Sequence, residues 1–413
     1  MKEIKKLSTV LIAIAFFVGF FFICNHFAAK TRTDSGVDLI NDDTAPVSPA
    51  NTVTGVYFED SLKEYVKINL ENEVRVTAVG DIMVYSYQLD YAYDYITGKY
   101  DFSKSFTHIK PYLDASDYVT GNLETTIAGQ KSETIAISNG YMGDASTMTF
   151  NTPEQFLTDL KNAGFDLLTN ANEQAFDYGP EGLTTTISNI DSSGLKHTGT
   201  FAKSDEKRYI ISRIKGISLG FMAYTNVMDD TFSSDYAYMI NYLDNYSEPE
   251  INKMCQAISE MKLDGAEMII IALHFGDTYS SGVNDNQRAL ARRLCDAGAD
   301  IILGSHPHVV EPMEIYETSG EEPRKCVIFY SLGNFLTSQQ YQSQNGYVRD
   351  IGCMATFSIV KADNKVSLRS VDILPVYSDW TEDSIRVIPV TEVKDNRTQN
   401  ANEFDYLDDE RIE

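Results

Sequence analysis

The sequence predicts an α/β fold in which a mixed sheet, or two packed sheets, has helices on the outside. Short apolar runs at residues 74–79 and 267–272 alternate with amphipathic stretches of helical length, such as residues 286–297. Strand-like pairs dominate the later part, where residues 353–360 and 366–376 flank a short Asp-Asn turn and predict a hairpin. Strand–helix alternation that gives way to strand pairs is typical of such mixed or doubly layered sheets.

The individual elements follow from local patterns and from turn chemistry. A proline at the start of residues 153–163 and Gly164 directly after them are boundary signals of a helix. The predicted helices are residues 102–113, 153–163, 180–192, 251–261 and 286–297, and the predicted strands are residues 74–79, 165–171, 209–214, 217–224, 267–272, 301–303, 326–332, 353–360 and 366–376.

Residues 1–33 are predicted to form a cytoplasmic tail and a transmembrane signal-anchor. No charge occurs between Lys6 and Lys30, and at ~1.5 Å per residue this stretch can cross a hydrocarbon core of ~30 Å. A cleavable signal peptide is the alternative, but its apolar region is usually only about 7–15 residues long. Because the N-terminal lysines favour a cytoplasmic tail, we expect a single-pass protein of the cell membrane with its C-terminal domain extracellular.

Three further segments follow the anchor. Residues 34–72 are polar and show no apolar period, which predicts a flexible stalk. Residues 73–378 are predicted to be the folded domain, since α/β folds of this length with one core are common. Residues 379–413 are acidic and are predicted to be a peripheral tail.

The charge of the chain restricts its partners. The net charge is −26, and the first 33 residues carry five Lys/Arg and one Glu, or +4, so the remainder carries −30. This balance argues against nucleic acid and against adsorption to anionic lipid. An anionic substrate therefore has to be bound by a local cationic site, because the overall field repels it.

Acidic and amide side chains occupy two short motifs that contain glycine. Asp81 follows a strand and a glycine, and a carboxylate there can reach a metal because the glycine permits a tight turn. In extended backbone Asn122 and Glu124 face the same side, so an amide oxygen and a carboxylate can share one cation. An aspartate in an ordinary turn, and a turn followed by a helix-starting glutamate, are the structural alternatives.

Two further segments offer oxygen donors after predicted strands. Asn172, Glu173 and Gln174 follow one strand and precede an Asp-Tyr-Gly segment. The alternative for Asn172 is a helix cap. Asn334 closes a later strand in Ser-Leu-Gly-Asn-Phe, where it can orient a ligand or simply form a turn.

Only six histidines occur in 413 residues, and three of them lie at predicted strand ends beside glycine. These are His274, His306 and His308, and α/β sheets bind ligands at such strand ends. Pro307 disfavours the helical region for His306, which predicts an extended backbone there. One such histidine is more often structural, but three in this setting favour a metal site. Imidazoles combined with carboxylate and amide oxygens suit Mn²⁺, Fe or Zn²⁺ rather than Ca²⁺.

The motifs GDIM, GNLE, an Asn-centred segment before DYG, HFG, GSHPHV and FYSLGNF resemble, in this order, those of the bacterial capsule-synthesis family typified by CapA/PgsA. The resemblance covers about residues 74–336 and implies a metallophosphoesterase-like α/β/β/α sandwich of the calcineurin-like superfamily, with a centre of two divalent ions. The metal ligands that it implies are Asp81, Asn122, Glu124, Asn172, His274, His306 and His308. The implied catalytic residues are Asp81, Asn172, Gln174, His274 and His306, with Glu173 and Asn334 supporting the ligands or contacting substrate.

The resemblance also implies a function and its partners. The first hypothesis is an anchored extracellular component of poly-γ-glutamate synthesis or export, acting with this anionic polymer and with other membrane components. The alternatives are a metal-dependent phosphoesterase or other hydrolase of an extracellular substrate, and a metal-stabilised polymer-binding protein without turnover. Gln174 stands where the family usually has histidine, and an amide cannot donate a proton as an imidazolium does. The sequence therefore leaves enzymatic activity open.

Overall fold

The computed structural model describes residues 73–130, 149–228, 232–320, 322–339 and 348–392, with the backbone of Val56–Tyr57, Ser138–Tyr141 and Met148 in addition. The predicted anchor at residues 1–33 lies outside the described residues, as does most of the predicted stalk. Within the described ranges, no helix combines the length and the apolar character that crossing a membrane requires.

The helices and strands of the described residues follow one another in an order close to the predicted alternation. The α-helices are α1 (Ser86–Ala92), α2 (Lys110–Asp114), α3 (Gln155–Ala163), α4 (Gly179–Ser192), α5 (Glu248–Leu263) and α6 (Asp285–Ala297). The strands are β1 (Val56–Tyr57), β2 (Glu73–Ile82), β3 (Tyr93–Asp94), β4 (Lys99–Tyr100), β5 (Tyr118–Leu123), β6 (Ser138–Tyr141), β7 (Met148–Asn151), β8 (Leu167–Thr169), β9 (Lys196–Thr198), β10 (Ile210–Ile214), β11 (Ile217–Thr225), β12 (Met268–His274), β13 (Ile301–Ser305), β14 (Met313–Glu317), β15 (Lys325–Phe329), β16 (Asn334–Leu336), β17 (Ile351–Ala362), β18 (Lys365–Trp380) and β19 (Ile385–Pro389). Short 3₁₀ helices lie at Ser103–Phe106, Glu173–Phe176, Ser234–Met239 and Asp244–Tyr246.

Two large mixed sheets organise the described residues. One has the strand order β1-β18-β17-β2-β5-β8-β9, with β16 beside β2 and β19 beside β18, and the other has the order β10-β11-β12-β13-β15-β14. The centre of each sheet is parallel: β2 pairs with β5 and β5 with β8, while β11, β12, β13 and β15 form the second parallel set. Parallel strands end at the same edge of a sheet, so residues that follow them are brought together.

The two sheets pack face to face and helices cover their outer faces. Apolar side chains of β2 and β17 from the first sheet and of β11, β12, β13 and β15 from the second form one buried cluster between them. A second cluster joins the first sheet to α1, α2 and α3, and a third joins the second sheet to α5 and α6. This arrangement is the predicted four-layer α/β/β/α sandwich, with strands buried on both faces as parallel sheets require.

Local chemistry explains several element boundaries. Helix α6 starts with a capping box in which Asn284 and Gln287 each accept a hydrogen bond from the other's backbone N–H. Helix α3 ends at Gly164, whose φ of +118° lies in the left-handed region that favours glycine. The hairpin between β17 and β18 turns through Asp363 and Asn364, both with positive φ, as two-residue hairpin loops require.

Several predicted boundaries need correction. The predicted helix at residues 102–113 is instead a 3₁₀ turn followed by the short helix α2, because Pro111 in the first turn of α2 fixes a helix start. Strand β19 pairs with β18, which itself runs to Trp380, so the sheet continues beyond the predicted end of the domain at residue 378. Strand β1 lies within the predicted stalk and pairs with β18, with Val56 opposite Val371.

Two glycines allow backbone segments to approach each other near the ends of the strands. A Cβ on Gly80 would lie 1.8 Å from the carbonyl oxygen of Gly333, and a Cβ on Gly304 would lie 1.8 Å from that of Tyr330. Gly80 lies inside β2, so its role is this close approach rather than the tight turn that the sequence suggested.

Candidate metal centre

The candidate centre is formed where parallel strands of both sheets end. Asp81 lies near the end of β2 and is opposite Asn122 of β5 in the strand register. His274 is the last residue of β12 and is opposite Ser305, the last residue of β13. His306 follows directly after β13, so side chains from the two sheets face one another across their shared edge.

Three ligand-type side chains form the first group of the centre. Asp81, Glu124 and His308 each offer one atom, and these atoms all lie within 4.8 Å of one another. The Nδ1 atom of His308 is 3.2 Å from Asp81 Oδ2, and its Nε2 atom is 3.5 Å from Glu124 Oε1. Asp81 and Glu124 have no exposed surface. The group is therefore closed to bulk water and rich in negative charge.

A second group of three lies beside the first. Glu173, His274 and His306 also place one atom each within a mutual distance of 4.8 Å. Glu173 contacts both imidazoles: one of its oxygens is in short contact with His274 Nε2, and the other lies 3.1 Å from His306 Nδ1. All three are buried or nearly so.

Two amides connect the groups. The Nδ2 atom of Asn122 lies 2.8 Å from Asp81 Oδ1 and 3.3 Å from His274 Nδ1, so it touches both groups. Asn172 donates to Asn122 Oδ1 at 3.0 Å and to the carbonyl oxygen of Leu123 at 2.8 Å. The predicted ligand residues therefore converge on one place, where Asn122 contacts both groups and Asn172 contacts Asn122.

Burial and mutual charge shift the pKa values of these side chains in opposite directions. Burial raises the pKa of Glu124 well above its ordinary value, and the charges of Asp81 and Glu173 raise it further. Burial also acts to raise the pKa of Glu173, but His274 and His306 outweigh it and hold that pKa well below the ordinary range. Without a cation, the centre therefore favours a proton on Glu124.

Burial and neighbouring charges also shift the pKa values of Asp81, His274 and His306. Burial would raise the pKa of Asp81, but its hydrogen bond with His308 and the charges of His308 and His274 lower it. Burial lowers the pKa of His274 despite the nearby Glu173. Burial also acts to lower the pKa of His306, but the charge of Glu173 and its hydrogen bond outweigh burial and raise that pKa. A positive ion placed here would stabilise every carboxylate in its ionised form.

The polar atoms left without partners fit metal binding. Glu124 Oε1, which lies 3.5 Å from His308 Nε2, and Asn172 Oδ1 are buried and have no hydrogen-bond partner within the part of the chain that the structure describes. Buried oxygens are costly when they are not satisfied. Carboxylate, imidazole and amide donors in this number suit Mn²⁺, Fe or Zn²⁺, so the residues present fit the predicted divalent ions.

Hydroxyl groups orient two of the imidazoles, which the sequence analysis did not anticipate. Ser305 Oγ lies 3.0 Å from His274 Nδ1, and Thr278 Oγ1 lies 3.1 Å from His306 Nε2. Hydrogen bonds to a ring nitrogen fix the tautomer and the orientation of a ligating histidine. The only sequence signal for Ser305 is its place at the end of a strand, directly before His306.

The backbone around His306 is not extended, and the prediction made from Pro307 was wrong. His306 has a φ of +95° and His308 a φ of +58°, both in the region that favours glycine. Such residues cost of order 1–3 kcal/mol each and tend to occur where function requires the strain. The backbone N–H of His306 donates to Asp81 Oδ2 at 3.4 Å, so the strained loop is bound to the first group.

Three residues were predicted to support or perform chemistry beside the ligands. Asn334 Oδ1 lies 3.1 Å from His308 Nδ1, which places it directly beside a candidate ligand. Glu173, predicted as a supporting residue, belongs to the second group of candidate ligands. Gln174 is different, because its amide nitrogen, in the orientation that satisfies it, donates to the two carboxylate oxygens of Asp177 at 2.9 and 3.1 Å.

The family "Bacterial capsule synthesis protein PGA_cap" matches residues 75–339. The PGA biosynthesis protein CapA of Bacillus subtilis (strain 168) is 33% identical over 276 residues, which are 66% of this chain and 66% of that protein. The capsule biosynthesis protein CapA of Bacillus anthracis is 27% identical over 328 residues, or 76% of this chain and 74% of that protein.

One solved structure with a similar arrangement is the calcineurin-like phosphoesterase YfkN from Bacillus subtilis. It is 14% identical to this chain and superimposes with a TM-score of 0.43, covering 81% of this chain and 98% of that one.

Proposed function

Because the chain belongs to the bacterial capsule synthesis protein family PGA_cap, we propose that it acts in the synthesis or export of an anionic capsule polymer, poly-γ-glutamate, through its metal centre. The observation that carries the proposal is the convergence of two buried ligand groups on Asn122, at the shared edge of both sheets. We propose further that residues 1–33 anchor the chain in the cell membrane and that the folded domain is extracellular, where the polymer and its membrane machinery would meet it.

Two divalent ions, Mn²⁺, Fe or Zn²⁺, are the proposed cofactors. The first would be held by Asp81, Glu124 and His308, and the second by the group of Glu173, His274 and His306. When bound, such ions polarise a substrate oxygen and neutralise the charge that develops on it. The chain's own contribution is a buried, oriented ligand set from which bulk water is excluded.

A role in binding without turnover is the second candidate, and Gln174 favours it. Its amide is directed at Asp177 rather than at either ligand group. An amide at this position cannot supply a proton to a leaving oxygen, which an imidazolium can. Replacing Gln174 by histidine distinguishes the candidates: gained hydrolysis of aryl phosphates by Gln174→His would indicate a centre that binds metal but lacks its general acid.

The proposed function is tested in the producing cell. A deletion strain would be complemented with the wild-type chain, with a variant that carries Asp81→Ala and His308→Ala, and with His108→Ala as a control, because His108 contacts Glu392 instead of the centre. We expect the double variant to change the amount or the length of the surface polymer while the control restores both. Unchanged polymer in the deletion strain would refute the proposal.

A further inference from the structure

A cationic and aromatic cluster lies beside the first ligand group. The ring of Tyr279 is 5.9 Å from the ring of His308, and the guanidinium of Arg349 lies 4.9 Å from the centre of the Tyr279 ring. This arrangement is a cation–π contact on the side of the centre where Asp81 and Glu124 lie. It places a permanent positive charge beside the first group, in which two of the three side chains are acidic.

The cluster is attached to the same backbone that positions the ligands. The N–H of Tyr279 donates to the carbonyl oxygen of Pro307 at 2.8 Å, which ties Tyr279 to the loop between the two histidines. Asn334 donates to the carbonyl oxygen of Arg349 at 2.8 Å while its Oδ1 lies 3.1 Å from His308. A residue in contact with a candidate ligand therefore also fixes the backbone of Arg349.

Tyr85 adds a hydroxyl to the cluster. Its oxygen accepts a hydrogen bond from Gln339 at 2.6 Å, and its proton is directed at the sulfur of Met83 at 3.7 Å, a weak acceptor. Burial raises the pKa of Tyr85, with Glu124 and Tyr279 acting in the same direction and Arg349 in the opposite one. Tyr85 thus keeps its proton and lies within electrostatic reach of both Glu124 and Arg349.

This geometry is suited to an oxyanion. Arginine presents several N–H donors in a planar fork that matches a carboxylate or a phosphate. A tyrosine hydroxyl that donates its hydrogen bond to a sulfur atom can donate it to a stronger acceptor instead, with little loss of hydrogen-bond energy. In a chain of net charge −26, an anionic substrate needs such a local cation to approach three carboxylates.

We propose that Arg349, Tyr279 and the Tyr85 hydroxyl form a subsite that binds a carboxylate of a polyanionic chain next to the Asp81–Glu124–His308 group. The inference rests on the proposed function, since it assigns the part of the centre that receives the polymer. Arg349 and Tyr85 are the proposed contact residues. Tyr279 positions the guanidinium by stacking against it.

The test uses the full-length protein purified in detergent and loaded with Mn²⁺, and it measures binding of poly-γ-glutamate and of inorganic phosphate. Arg349→Gln is compared with Arg292→Gln, a matched control that loses the same charge and a similar guanidinium–ring contact, 5.4 Å from the Tyr316 ring. We expect Arg349→Gln to weaken polymer binding roughly 10- to 100-fold, as for the loss of a charge-assisted hydrogen bond. Arg349→Lys should recover part of the loss, and bound Mn²⁺ should be unchanged in all variants.

Each outcome decides a separate question. Equal polymer binding by Arg349→Gln and the control would overturn the subsite, while the proposed function would stand if binding still requires Mn²⁺. A loss of phosphate binding alone would overturn the assignment to a carboxylate polymer. A wild-type protein that shows no Mn²⁺-dependent polymer binding would overturn both proposals.

Discussion

Replacing Gly80 by alanine tests whether close backbone contact builds the centre. The new Cβ would lie 1.8 Å from the carbonyl oxygen of Gly333, whereas real Cβ atoms almost never approach an atom closer than 3.0 Å. The two segments must therefore separate by about 1.2 Å, the difference between these distances. The hydrogen bond from Asp81 N–H to Gly333 O, now 3.0 Å, does not survive a displacement of that size.

The cost follows from the two effects together. Overpacking in a buried region costs ~1–3 kcal/mol, and the lost hydrogen bond costs ~0.5–1.5 kcal/mol. We therefore expect Gly80→Ala to lower the free energy of unfolding by roughly 1.5–4.5 kcal/mol, the sum of the two ranges. The same movement shifts Asp81 relative to Asn334, the residue after Gly333, so Mn²⁺ affinity should fall as well.

Chemical unfolding and metal titration of the purified protein measure both effects. Gly282→Ala is the matched control, because Gly282 is exposed and the nearest atom to its added Cβ is Ser280 Oγ at 3.8 Å. The control should leave stability unchanged or raise it slightly, by at most ~1 kcal/mol. An unfolding midpoint of Gly80→Ala equal to that of the wild type would refute the packing argument.

Three further predictions concern the electrostatics and the metal content of the centre. Because burial and the neighbouring Asp81 and Glu173 raise the pKa of Glu124, the folded metal-free protein holds this proton more tightly than the unfolded chain does. The contribution of this proton to stability is present below the ordinary glutamate pKa of ~4.3 and is lost as the pH rises through the pKa of Glu124 in the folded protein. The wild type should therefore lose stability relative to Glu124→Gln between these two pKa values. Parallel curves of stability against pH for the two proteins, measured in chelator, would contradict this. Mn²⁺ at 100 times its Kd should stabilise the wild type by about 2.7 kcal/mol for each ion bound. His308→Ala and Glu173→Gln should each bind one ion fewer than the control His108→Ala, and equal metal content would contradict two separate groups.

The overall architecture could be predicted because the apolar pattern of a buried strand can be recognised from the local sequence alone. The runs that became β12 and β13 are apolar up to the last residues of each strand, and the run that became β2 carries valine or alanine at residues 74, 76, 78 and 79. Their ends carry Asp81, His274 and His306, so the convergence of these residues follows from parallel pairing alone. Strand β19 was missed because residues 379–413 are acidic as a whole, although the five residues of Ile385–Pro389 within them are mostly buried.

The finer parts of the centre depend on contacts that sequence order does not encode. The family resemblance implied a supporting role for Glu173, yet the turn at Glu173–Phe176 directs the Glu173 carboxylate at both imidazoles. The positive φ of His306 contradicts the local preference before proline, and in this conformation the His306 N–H is directed at Asp81 Oδ2, 3.4 Å away. Arg349 lies far from the histidines in the chain and has no motif to reveal it.

The charges of the centre connect the two proposals physically. Three carboxylates in a closed site repel an anionic polymer, and the net charge of −26 adds to that repulsion. Metal ions bound by these carboxylates would reverse the local sign, and Arg349 would then act together with the ions on the polymer. Polymer and metal binding should therefore be coupled, each strengthening the other by the same factor, as thermodynamic linkage requires. Arg349→Gln should weaken the polymer's affinity while leaving the metal's affinity in the absence of polymer unchanged, because the arginine acts on the polymer and the carboxylates act on the ions.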